Sequence, residues 1–456
     1  MKFKNVKLSQ LLFFIFPLIL LLFPLSIALA QLEIDFLPSI SITQEYNDNI
    51  YLNDNNTYLD TINKTSDYIS IASPRGVLIL SSQTSSMEMM YSPSFVNYAS
   101  EDINNTTRHL ASLTFMKQIS QYWSINCSER YIKSEESVED IDDINDFRSG
   151  RDSYQRNNGM ASLSYLFGSE NELSIGYQYS WVDNNYNNRS DFSSSSSIVD
   201  TERVDNATTQ RPFFNIDYWF DLTNGLELDY EFVKAIFWGE EAYPGNPANF
   251  TGHSLGIAYK HRFRQDSLAF IRSAFTERNF VKNHGITYPQ DDDHIIYELT
   301  TGLDISFLQY YSLAFDIGFF TQVNDLRHNE SGIIYSLSLI KNIEHGRITV
   351  NGAGGWDELY LQGGPPGFSN YWSLFTRVDY QLLEPLTGYM RASFRHDKDG
   401  SYREWDSIEE GAGLKWNFSD NFSFSLDYSY AERDGFDDFQ VNRVMLIMSA
   451  DSLYRW

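Results

Sequence analysis

The chain reads as all-β: a single transmembrane antiparallel β-barrel of about 20 strands (18–20). Three observations carry that reading. Apolar and polar residues alternate with period two in segment after segment, which puts one kind on each face of a strand. The connections between these segments alternate between short and long. Aromatic residues gather at the segment ends, and they make up 16% of the chain although only 42% of it is hydrophobic. A wall with an apolar face toward lipid and a polar face toward a lumen has that balance.

The first element is not a strand. Lys2, Lys4 and Lys7 precede an apolar run from Leu11 to Ile27, which ends in Ala28-Leu29-Ala30. A basic start, an apolar middle and a small-x-small end predict a cleaved secretory leader over 1–30 and a mature barrel domain over 31–456. An uncleaved anchor is the competing reading, because the run nearly spans a bilayer. Loss of the three lysines takes the formal charge from −27 to −30.

Beyond residue 30 no apolar run is long enough for a membrane helix, and no sustained i, i+3, i+4 stripe with caps occurs. Alternation replaces both. It runs through Leu173-Ser-Ile175-Gly-Tyr177-Gln-Tyr179, Leu226-Glu-Leu228-Asp-Tyr230-Glu-Phe232, Leu303-Asp-Ile305-Ser-Phe307 and Phe422-Ser-Phe424-Ser-Leu426-Asp-Tyr428. A first strand is expected over Phe36–Tyr51 and a last over Val441–Ala450.

Short connections are expected at 82–86, 120–122, 168–171, 221–225, 265–267, 308–310, 342–346, 384–386 and 419–421. Long ones are expected at 52–67, 100–107, 134–156, 183–210, 239–251, 281–293, 323–330, 359–369, 396–405 and 433–438. Ten long and nine short connections imply twenty strands with both ends on one side. A propeller would repeat a blade motif, and none is visible. A soluble sandwich has no reason to sort its loops by length. An outer-membrane barrel does, with short periplasmic turns and longer extracellular loops.

Trp123, Phe220, Tyr310, Tyr311, Trp416 and Phe418 flank short connections, while Trp181, Trp238, Trp356 and Trp405 flank long ones. They are expected to form two interfacial girdles, where amphipathic rings are favoured. The expected surroundings are outer-membrane lipid and lipopolysaccharide. The terminal Trp456 resembles the aromatic signal read by the outer-membrane assembly machinery.

Composition removes other classes. Lys and Arg number 34 against 61 Asp and Glu, so no nucleic-acid partner is expected. Cys127 is alone, which rules out an intramolecular disulfide and a cysteine metal site. No cofactor is expected. The acidic run of 134–156, Asp397-Lys-Asp399-Gly400 and Asp291-Asp-Asp293-His294 invite a hard cation, but solvated acidic loops are the commoner reading and no metal site is assigned.

The segment Phe36–Tyr51, a first strand that ends in Glu45-Tyr46-Asn47-Asp48-Asn49-Ile50, resembles the type-2 β-barrel porins of bacterial outer membranes. The resemblance covers about sixteen residues. It implies an outer-membrane channel, often associated with exopolysaccharide or capsule loci, and brings no catalytic residues.

Alternation places Asp217, Glu227, Asp229 and Glu231 toward the lumen, with Asp304, Asp379 and Asp427. It places Lys260, Arg262, Arg377, Arg391 and Arg395 there as well. Such charges form either opposed acidic and basic walls or local cross-strand pairs. The first strand begins soon after Gln31, so no plug domain is expected to precede it, and a twenty-strand lumen should hold water. Loops 134–156 and 183–210 are the candidate constriction. The expected function is passive passage or export of a hydrophilic solute or polysaccharide. A structural or adhesive barrel is the alternative. A rim hydrolase is the remote one, since no paired Ser/His or Asp/His motif occurs, and no enzyme is expected.

Overall fold

The computed structural model describes residues 32–52, 64–135, 154–184, 206–238, 249–280, 293–307, 310–324, 329–357, 369–399, 404–435 and 438–455. The expected leader, Trp456 and most of loops 134–156 and 183–210 lie outside the described residues. The first strands are β1 (Glu33–Asn47), β2 (Asp67–Ser81), β3 (Ser85–Tyr98), β4 (Thr106–Gln118), β5 (Trp123–Ser134), β6 (Tyr154–Phe167) and β7 (Asn171–Asn184). They continue as β8 (Asn206–Trp219), β9 (Asn224–Trp238), β10 (Phe250–Arg264), β11 (Ser267–Phe280), β12 (His294–Phe307), β13 (Tyr311–Asn324) and β14 (Glu330–Ile343). The sheet is completed by β15 (Gly346–Asp357), β16 (Ser369–Leu383), β17 (Leu386–Asp399), β18 (Glu404–Ser419), β19 (Phe422–Asp434), β20 (Phe439–Asp451) and the two-residue β21 (Tyr454–Arg455).

Each long strand pairs antiparallel with its chain neighbours, and β1 also pairs with β20 from Ser39↔Asp451 to Asn47↔Arg443. The sheet is closed. Closure matters because an open edge in hydrocarbon would leave backbone groups unpaired. Below the seam β21 adds Asp35↔Arg455, and the Arg455 guanidinium donates to both Asp35 oxygens at 2.8 and 3.0 Å.

The outer face carries the apolar half of each alternation. Leu226, Ile257, Leu299, Ile317, Leu414 and Leu426 all stand exposed there, which in this setting means toward lipid. The short-turn girdle is present: Trp123, Phe220, Tyr310, Tyr311, Trp416 and Phe418 are all exposed. Twenty strands about 4.8 Å apart and tilted about 40° give a wall radius of about 20 Å, more than wall side chains can fill.

Three expectations need correction. The first strand stops at Asn47 rather than Tyr51, because Asp48 to Leu52 turn back over the sheet. The connections expected at 396–405 and 323–330 are shorter, since β17 runs to Asp399, β18 starts at Glu404, and β13 and β14 reach Asn324 and Glu330. Ladder hydrogen bonds outlast the apolar alternation there. In the long-loop girdle, Trp405 is buried on the inner face under Arg433, and Trp356 also turns inward.

Candidate functional site

The inner wall carries the charged half of the alternation, and strand register decides which charges meet. On β8–β11 the Lys260 ammonium lies 2.7 Å from Asp217 and 3.1 Å from Glu227. Arg272, one strand further on, reaches Asp229 at 2.9 Å. Gly256 makes room for that pair, since a Cβ there would sit 2.5 Å from the Asp229 oxygens. Arg262 stacks 4.1 Å from the Trp219 ring centroid and meets Glu170 of the β6–β7 turn at 2.8 Å. Glu231 continues the same inward row on β9.

A second cluster occupies β15–β19. Arg377 grips Asp379 through two nitrogens at 2.8–3.1 Å and stacks on Tyr389, whose hydroxyl donates to Asp427 at 2.8 Å. Arg391 pairs with Glu409. Arg395 is deeply buried: it holds Asp397 with two bonds of 2.7 Å, reaches Asp357 at 3.3 Å and lies 4.4 Å from the Tyr371 centroid. Asp304 belongs to neither cluster and stands exposed on the inward register of β12.

Acids and bases thus share the same stretch of wall. The reading of opposed acidic and basic walls gives way to local pairing, because the short cross-strand distance rewards opposite charges on adjacent strands. Arg272, Asp357 and Glu409 join the wall without having stood out in the sequence, and Asp397 joins it as the partner of Arg395 rather than as part of a cation loop. Their inward parity was readable, but the partnership of Arg272 with Asp229, two strands away, depends on register.

The long-loop end of the inner wall is different. Ile69, Val96, Val182, Val233, Phe250, Ile296, Phe320 and Val441 face inward from eight strands, and none is more than 2% exposed. Among the described residues, Ile50 packs on Ile69, Val96 and Tyr98, and Ala207, Val233, Ala235, Phe237 and Phe250 pack together further along the wall.

Ile50 is held there by the segment that carried the family resemblance. Asp48 accepts from the backbone and side-chain amides of Asn442 on β20, both at 2.7 Å. Asn49 donates to the Gln440 carbonyl at 2.9 Å, and its own N–H donates to Asn47 at 3.0 Å. The Tyr51 hydroxyl donates to Glu101 and accepts from Asn104, in the connection after β3. Glu45 to Tyr51 therefore clasp the barrel seam and seat Ile50 on the wall. Among the described residues, no cluster of three or more metal-ligating side chains forms.

Comparison with solved structures agrees on architecture. A variant of the ferric enterobactin receptor PfeA of Pseudomonas aeruginosa superposes with a TM-score of 0.50 at 9% identity, over 91% of this chain and 80% of that one. The chain is a closed antiparallel β-barrel. The siderophore receptor PirA of the same organism gives a TM-score of 0.48 at 10% identity, over 90% of this chain and 80% of that one. The outer-membrane protein OpdK, also from P. aeruginosa, gives 0.39 at 9% identity, over 94% and 100%. No family model matches the barrel, and no curated protein does.

Proposed function

We propose that this barrel is a channel for passive passage of hydrophilic solutes across the outer membrane. The observation that supports it is the inner wall between the short turns and the apolar belt, where the charged groups are paired along β8–β11 and β15–β19. Such a wall keeps water and polar solutes at its surface without a ring of one charge. Weak ion preference follows. Export of an exopolysaccharide is the finer substrate class that the Glu45–Ile50 resemblance brings.

The test is the full-length protein in planar bilayers. Stepwise conductance with a reversal potential near zero in a salt gradient supports the channel. Lys260→Met, which strips Asp217 and Glu227 of their shared cation, should shift the preference toward cations. A folded barrel that stays electrically silent overturns the reading in favour of a structural role.

A further inference from the structure

Among the described residues, the ladder between β14 and β15 stops short of the strand ends. Their ladder runs from Ile343↔Gly346 only to Tyr335↔Gly354, yet β14 goes on through Glu330 and β15 through Asp357. Residues Glu330–Ile334 keep their partners on β13 and have none on β15. The break falls at a glycine pair. Gly355 has φ +152°, a backbone state that favours glycine, and a Cβ there would sit 2.8 Å from the Ile334 side chain.

Beyond the break β15 leads inward. The Trp356 indole N–H donates to Glu298 on β12, three strands away, so the ring lies across the inner surface of β13 and β14. Asp357 reaches Arg395 in the other direction. Above the break, Asn370 of β16 donates to Glu330 of β14 at 2.9 Å, passing over β15. Asn370 Oδ1 is buried with no partner among the described residues.

We infer that this notch is a lateral portal between lumen and outer leaflet, closed here by Trp356, and that it admits single-chain amphiphiles. Height supports this. From Lys341 beside the Tyr311 girdle ring to Tyr335 the strand climbs about 15 Å, within an apolar band about 25 Å tall. The notch therefore opens in the outer half of the membrane. Its lipid side is apolar, with Phe319 at 68% and Ile333 at 56% exposure, whereas its inner side holds Glu298, Glu330 and Asn370. A ligand seated across it needs an alkyl chain for one side and a polar head for the other.

This inference uses the channel reading only for access to the lumen. The test is photolabelling of the full-length protein in vesicles with a dodecyl maltoside bearing a diazirine at the chain end, with conductance measured in parallel. Adducts should concentrate on Ile334 and Phe320, and Trp356→Ala should raise the Phe320 adduct several-fold. Glu298→Gln, which weakens the indole bond, should act in the same direction if the tryptophan variant does not assemble. Adducts confined to outer-face residues such as Phe319 and Trp372, or spread evenly around the inner wall to Phe270 and Phe375, overturn the portal. A silent barrel labelled at the notch would overturn the channel reading alone.

Discussion

At the scale of single residues, period two decides most placements. Leu426 and Asp427 are adjacent on β19, yet Leu426 is 45% exposed toward lipid while Asp427 is 8% exposed and accepts from Tyr389. Leu426→Arg should therefore cost about 2–4 kcal/mol near mid-membrane, whereas Asp427→Asn keeps an acceptor and leaves assembly intact. Urea titration of refolded barrel in vesicles reads both, and equal midpoints would place the strand in the wrong register. Arg395 makes a different case, since its side chain is 5% exposed and that of Asp397 3%. Arg395→Met strands a buried carboxylate and should destabilise by about 3–5 kcal/mol, while the double change with Asp397→Leu should recover most of the loss. The inward parity of both residues was visible in the sequence. Their partnership with Asp357 and Tyr371 was not, because lateral neighbours depend on how strands slide past one another.

At the scale of elements, the strands were legible because each alternation is long and each short connection is flanked by aromatics. The twenty-strand count follows from that pattern and holds. What alternation could not show is where a strand leaves the wall. Trp356 and Trp405 look like girdle residues by their place beside long connections, yet both turn inward, one after a glycine pair and the other under Arg433. The segment Glu45-Tyr46-Asn47-Asp48-Asn49-Ile50 suggested a family, and its physical work is to tie β1 to β20. Two bonds from Asn442 to the Asp48 carboxylate, at about 1.5–3 kcal/mol for a charged acceptor, make Asp48→Ala measurable. The variant should release the Asn442 amide to faster hydrogen exchange while amides of the β9–β10 ladder stay protected. Equal protection at both places would mean that the clasp is ornamental to the seam.

At the scale of the whole molecule, the lumen charges of the two clusters are paired although the chain carries a formal charge of −27. The sequence displayed that imbalance without showing how the inward groups meet, since only pairing across strands reveals it. The closed sheet also has a consequence for how the molecule is made. Every pairing joins neighbours in the chain except those at the seam, where β20 and β21 meet β1. Hairpins can zip locally and early, but the one closing event brings together residues as far apart as Asp35 and Arg455. A nascent chain therefore has two bare edges until its last strand is released, and bare edges invite pairing with other chains. It must be kept unpaired in transit and completed in a single late step. A chain cut before Phe439 should accordingly form hairpins yet never the compact, heat-resistant band of the intact barrel on unboiled gels.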